Sequence, residues 1–256
     1  MTATSIFDGT ESLIRHALGL QVGQKLKQKS ACVGLGPEGI CTEVIARLVI
    51  ALQEQIFSNW KGRIPSRENW RMECQTTLSA NNQSPEIILE RAIAMLGERG
   101  GLPGWYNQIP VASGMIDDKT DKRAAVDLIR VDGRQVDLVE LKWASDTPAF
   151  AAFEILQYAL ACLLCRQNMD TFGYADKQLL GAERISLQVL APQEYYTPYD
   201  LGFLTIGIRQ GLDRLCQNRD DIRQVLSNRW RFLFHGRARI SESVRASTLF
   251  YGCAPQ

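Results

Sequence analysis

Histidine is nearly absent from this chain: His16 and His235 are its only two. Neither has a second ligand at metal-binding spacing, and no Ser–His or Cys–His pattern accompanies them. Histidine-based zinc sites and triad catalysis are therefore not expected. A charge excess of one sign is missing too. Twenty-nine basic residues face 28 acidic ones for a net +1, so the chain as a whole carries no basic footprint. The seven cysteines follow no disulfide-scaffold spacing. Cys162 and Cys165 read as C-x-x-C but sit in the apolar run ALACLLCRQ, where they read as small buried hydrophobes. No four-cysteine pattern suits an iron–sulfur cluster. No run reads as long and apolar enough to span a bilayer, and MTATSIFDGTE lacks a basic-then-apolar signal. A cytoplasmic protein without membrane contact is the expectation. VGLGPEG lacks the Gly-Lys-Ser/Thr ending of a phosphate loop and reads as a turn before a helix.

What is present is a pair of β-branched segments, AAVDLIRVDG and VDLVELKW. Strand side chains alternate with period two, so Glu140 and Lys142 share a face with Leu138 and Val136. Leu141, Val139 and Asp137 take the other face. A carboxylate and an ammonium on an apolar strand face are costly to bury without a partner or a purpose. With Asp127 on the preceding strand they make two hard oxygen ligands for a cation and a lysine that can hold a water. The alternative is a structural ion pair on a sheet.

The neighbouring segments give this set a context. SPEIILERAIAMLGER reads as an amphipathic helix with Ser84 as cap and Pro85 at its first position. WYNQIPV reads as a strand, and Asp132-Gly133 as a hairpin turn between the Asp127 and Glu140 strands. A long apolar helix follows over about 149–166, then the strand ISLQVLAP. Residues before Ser79 read as mainly helical, with Ile45, Leu48, Val49 and Leu52 at helical spacing. Polar, turn-rich TTLSANNQSP and YYTPYDLG divide the chain into 1–79, 80–195 and a helical, arginine-rich 196–256.

Helix, three-strand meander, crossover helix and strand, with Asp127 and then Glu140-x-Lys142, resemble the PD-(D/E)XK nuclease superfamily over roughly 84–192. Val126 stands where the family's name has proline. The resemblance implies an α/β fold: a restriction-endonuclease-like αβββαβ core with a central mixed sheet, and helical N- and C-terminal additions. It implies a Mg²⁺-dependent deoxyribonuclease, an endonuclease rather than an exonuclease, with Mn²⁺ as a substitute metal. Asp127 and Glu140 would be the metal ligands, the Leu141 carbonyl a third, and Lys142 the residue that orients the attacking water. The upstream helix often supplies one more glutamate in this superfamily, here Glu86 or Glu90. The apolar stripe Ile88, Leu89, Ala92, Ile93 and Leu96 puts Glu86 at its edge, which favours Glu86. Gln157 resembles the Gln of recombination-type members, although its tyrosine, Tyr158, is adjacent rather than a turn away. A core hydrogen bond is the alternative role for Gln157.

Partners follow from the same reading: nucleic acid, DNA ahead of RNA, and a homodimer or a partner protein of the same system. Lys119, Lys122 and Arg123 in ASGMIDDKTDKR, and Arg229 and Arg231 in the C-terminal arginine run, are candidate phosphate contacts. Local ion pairs are the alternative use of those arginines. A nuclease fold with a lapsed site, acting as a binding or interaction module, is the competing functional class.

Overall fold

Gly133 sets the register of the central hairpin. Its φ of 59° supplies the left-handed backbone that a tight hairpin turn requires. Asp132 pairs with Gln135, so the turn residues are Gly133 and Arg134, one position later than the sequence suggests. The computed structural model describes residues 5–36, 38–114 and 124–217, and the backbone of 231–235.

Within them the longer elements are α1 (Thr10–Ala17), α2 (Thr42–Asn59), α3 (Pro85–Glu98), β1 (Trp105–Pro110), β2 (Ala125–Asp132), β3 (Gln135–Leu141), α4 (Pro148–Gln167), β4 (Arg184–Leu190), α5 (Gly202–Gln217) and β5 (Arg231–His235). The strands lie in the order β1-β2-β3-β4-β5. The first three form an antiparallel meander, while β4 lies parallel to β3 and β5 parallel to β4. A parallel return needs a long connection, and α4 supplies it. The class is α/β with a mixed sheet.

Both faces of the sheet are covered. Ile129, Val136, Leu138, Ile185 and Leu187 belong to the main core with α4. Leu128, Val139 and Leu141 form a smaller cluster with Ile93 and Leu89 of α3. Helix α4 starts sharply because Pro148 holds its first position and the Thr147 hydroxyl accepts the Phe150 N–H at 3.1 Å. The 20-residue helix, with an 18-residue window at mean hydropathy 1.6, is long and apolar enough to cross a membrane, which corrects the sequence expectation. The reason for that apolarity lies in the fold: residues all round the helix are buried, in the core it shares with the sheet and the flanking helices.

The flanking segments share this core. Ile14, Val49 and Leu52 from the N-terminal region, and Leu204, Ile208 and Leu212 from α5, join the same cluster. Helices α2 and α5 meet at glycines: a Cβ on Gly207 would sit 2.5 Å from Ile45 Cβ, and one on Gly211 2.5 Å from Val49 Cβ. At the end of this seam Arg214 clasps Glu43 with two hydrogen bonds, of 2.9 and 2.6 Å. Those bonds, with Arg47, hold the Glu43 carboxyl down to about 2. The segment from Arg231, read as an amphipathic continuation of the C-terminal helices, forms strand β5 instead, as its aromatic residues favour. Lys119, Lys122, Arg123 and Arg229 lie outside the described residues.

Gly211→Ala should force α5 away from α2 and cost about 1–3 kcal/mol, read as a lower urea midpoint with unchanged slope. An unchanged midpoint would mean that the seam yields freely.

Candidate active site

Asp127 and Glu140 are cross-strand neighbours. Leu128 pairs with Val139, and the next step outward sets Asp127 opposite Glu140 on the face that looks toward α4. There the ladder gives way to a side chain: Asp127 Oδ2 accepts the Leu141 N–H at 2.9 Å. Lys142 follows the end of β3, its backbone N–H bonded to the Leu190 carbonyl at 3.0 Å. Its ammonium returns to the same face, 2.8 Å from Glu140 Oε1 and 3.1 Å from Glu154 Oε2. Asp146 Oδ2 lies at 3.9 Å from it.

The cluster is buried and acid-rich. Glu140 is 3 % exposed and Lys142 8 %. Burial first, then the charges of Asp127 and Glu154, push the Glu140 carboxyl well above its ordinary value against the pull of Lys142. Burial likewise raises Asp127 to about 6, opposed by the Leu141 N–H and by Lys142. Burial works against the Lys142 ammonium, but Glu140 and Glu154 together outweigh it and hold Lys142 above its ordinary value. One ammonium thus serves three carboxylates. Among the described residues Glu140 Oε2 is buried without a hydrogen-bond partner, and a buried carboxylate oxygen without one carries a desolvation cost.

Those features fit a hard divalent cation by donor type. Asp127, Glu140 and the Leu141 carbonyl could hold it, with Glu140 Oε2 the oxygen most in need of a partner. Among the described residues no three His, Cys, Asp or Glu side chains already stand as a metal-ligating group. Lys142 supplies the positive charge at Glu140 Oε1.

Other sequence candidates fall elsewhere. Both ends of Gln157 are engaged away from the cluster: Oε1 accepts from the Thr10 hydroxyl at 2.7 Å, and Nε2 donates to the Phe153 carbonyl at 3.1 Å. Gln157 ties α4 to the N-terminal segment. Glu86 accepts from the Trp143 N–H and the Ser145 hydroxyl, both at 2.7 Å, and so pins the loop after Lys142. Glu90 is the buried glutamate of α3, held by Asn107 at 2.6 Å and Gln108 at 3.0 Å. Of the two, Glu90 is the one whose charge bears on Asp127. Arg231 opens β5, pairing with Ser186.

The sequence reading missed Glu154 and Tyr158 as members of the cluster. The Tyr158 hydroxyl donates to Glu154 Oε1 at 3.3 Å. The available signal was Glu154 itself, the one acid in an otherwise apolar helix, with a tyrosine four residues on. Two non-glycine residues with left-handed backbone flank the cluster: Gln108 at φ 52° beside Glu90, and Asp146 at φ 57° in the loop after Lys142.

Comparisons with protein-family models, curated proteins and solved structures gave no match to this chain.

An acid whose folded pKa is raised binds an extra proton in the folded state. Stability from that source therefore falls as pH rises from about 4, the unfolded value, through about 6, the folded value for Asp127. Asp127→Asn removes this penalty while keeping an acceptor for Leu141. In chelator it should raise the melting temperature at pH 7.5, by about 2–4 °C per kcal/mol relieved, and the gain should vanish near pH 4. A variant that melts lower at pH 7.5 would contradict the burden assigned to Asp127.

Proposed function

We propose that this chain is a metal-dependent nuclease of the PD-(D/E)XK type, with a restriction-endonuclease-like core, acting on DNA. The observation that carries the reading is the partnerless, buried Glu140 Oε2 beside Asp127, with the Lys142 ammonium 2.8 Å from the other Glu140 oxygen. Strand order, hairpin and crossover helix support the same reading, since they bring Asp127, Glu140 and Lys142 onto one face. The exposed indole of Trp143, one residue past Lys142, adds a surface on which a base can stack.

Bound Mg²⁺, or Mn²⁺ in its place, would lower the pKa of a coordinated water and offset charge developing on the phosphate. Asp127 and Glu140 would hold that ion, with the Leu141 carbonyl as a further ligand. Asp127 is itself oriented by the Leu141 N–H, so one residue fixes an acid with its donor and offers its acceptor to the ion. Lys142 works as an ammonium. It would donate to the attacking water's oxygen and so orient that water toward the phosphate. Glu86 keeps the loop that begins at Trp143 in place through two hydrogen bonds. Lys119, Lys122, Arg123, Arg229 and Arg231 are the proposed phosphate contacts.

The test is a cleavage assay over single-stranded, double-stranded, nicked and branched DNA, and RNA, with Mg²⁺, Mn²⁺ or chelator. Asp127→Ala and Glu140→Ala should abolish cleavage, a loss of at least about 10²-fold, and circular dichroism should show both folded. Lys142→Ala should keep Mn²⁺ affinity and still lose most of the single-turnover rate. Cleavage by the Asp127 and Glu140 variants at the parental rate sinks the proposal. A chain that binds nucleic acid but takes up no Mn²⁺ and cleaves nothing would be the lapsed-site binding module instead.

Charge on the C-terminal arginines gives a separate readout. Arg229→Ala with Arg231→Ala should weaken DNA binding and reduce the salt slope by about 2, leaving the rate at saturating DNA unchanged. Unaltered affinity would place the DNA surface elsewhere.

A further inference from the structure

We propose that Glu154 is the positioning residue for Lys142, and that Tyr158 holds Glu154 in that role. This deepens the cleavage reading and rests on it. Lysine has a long flexible stem and three N–H donors, so its ammonium goes where acceptors hold it. Two carboxylates do so here, Glu140 from the strand and Glu154 from α4, at 2.8 and 3.1 Å. Their demands differ. Glu140 also has to serve a cation through Oε2, and a carboxylate whose other oxygen ligates a cation is a poorer partner for an ammonium. Glu154 is the acceptor whose bond does not depend on that cation. Without it Lys142 would have only Glu140 within hydrogen-bonding distance, with Asp146 at 3.9 Å. The ammonium would then follow the ligand rather than hold a place for water.

Glu154 is fixed for this task by its own helix. Tyr158 lies one turn on and donates to Glu154 Oε1, leaving Oε2 for Lys142. The Tyr158 ring packs against Phe7 from the N-terminal segment at 6.0 Å between centroids, so the acceptor is braced from outside the sheet. A carboxylate on a core helix is costly, and this one has both oxygens bonded toward the site. A role as a third metal ligand is the rival, and the two roles make different demands on metal affinity.

The test is a double-mutant cycle on the full chain with Lys142→Ala, Glu154→Ala and both together, read as single-turnover cleavage at saturating DNA and as Mn²⁺ affinity by calorimetry. Glu154→Ala should slow cleavage by about 10- to 100-fold while Mn²⁺ and DNA affinities stay within about twofold of the parent. The double variant should be no slower than Lys142→Ala alone, because both changes disable the same ammonium. Glu154→Gln keeps an acceptor and should recover part of the rate; it also serves if Glu154→Ala proves poorly folded. Tyr158→Phe should give a smaller loss in the same direction. Additive effects of the two single changes overturn the inference, and so does a tenfold or greater loss of Mn²⁺ affinity in Glu154→Gln, which would make Glu154 a ligand. A parent chain that cleaves nothing, or a Lys142→Ala chain as fast as the parent, overturns the cleavage reading and this inference with it. A slow Lys142→Ala chain with additive Glu154 effects overturns the inference alone.

Discussion

Two carboxylates facing each other across adjacent strands, in a wall that excludes most water, set the terms for the rest of this fold. Burial is the main cost, and nearby carboxylates add to it, Asp127 and Glu154 at Glu140 and Glu90 and Glu154 at Asp127, so both acids are raised above their ordinary values. Their opposition depends on register. A slip of one residue in the β2–β3 pairing would send Glu140 to the α3 face and bring Leu141 to the α4 face. The turn at Gly133 guards against that slip. The parallel strand β4 then backs β3 from the other side, and its connection through α4 brings Glu154 to the face that Asp127 and Glu140 occupy. The acid pair, the lysine and the helix residue that reaches it are consequences of one topology.

Lys142 holds this arrangement together electrostatically. A buried ion pair adds little net stability, because desolvation offsets the attraction, but removing one partner leaves the other buried and uncompensated. Here the imbalance is already present in the folded chain, with Glu140, Glu154 and Asp146 at 2.8 to 3.9 Å from one ammonium, the Asp127 charge acting on it as well, and one Glu140 oxygen without a hydrogen-bond partner among the described residues. A fold selected for stability alone would replace such a group with apolar side chains of similar volume. The surrounding core is well able to host them: Val136 and Leu138 precede Glu140 on the same strand face, and Ile155, Leu156 and Ala159 flank Glu154 and Tyr158 on α4. Retaining the charges there is a cost that packing does not explain and the proposed chemistry would.

The strands were legible because their β-branched runs alternate, and Asp127, Glu140 and Lys142 because period two puts the last two on one face. Helix α4 was legible as a buried crossover from its long, mostly apolar length, although the same length satisfies a membrane-span criterion and only its packing distinguishes the cases. The rotation of α4 against the sheet was not legible. Gln157 and Glu154 differ by three positions on the helix, and which one reaches the acids depends on how α4 docks. Thr10 claims Gln157, a contact across 147 residues of sequence that no local pattern encodes. The choice between Glu86 and Glu90 failed to resolve for a related reason. The apolar stripe of α3 gives an angle, but the left-handed backbone at Gln108, which turns that side chain to Glu90, is a tertiary feature. Strand β5 was missed although Trp230, Phe232 and Phe234 are spaced two apart, a strand signal, because the amphipathic helical pattern before it was carried through this short arginine-rich stretch.

Charge gives the site an order of events. A phosphodiester is an anion, and three carboxylates around one ammonium repel it. The whole chain is nearly neutral, at a net +1, so long-range attraction does little to overcome that local repulsion. A phosphate comes close to Asp127 and Glu140 at low cost only when their charge is already offset, and below about pH 6 protonation of Asp127 supplies part of that offset without any chemistry. At neutral pH the offset has to come from a cation. On the proposed cleavage reading, cation uptake would relieve the burden on the acids and admit the phosphate in one step. The same acids that weaken the folded chain by themselves would, on that reading, make it responsive to a divalent ion, with Lys142 already held by Glu154 beforehand.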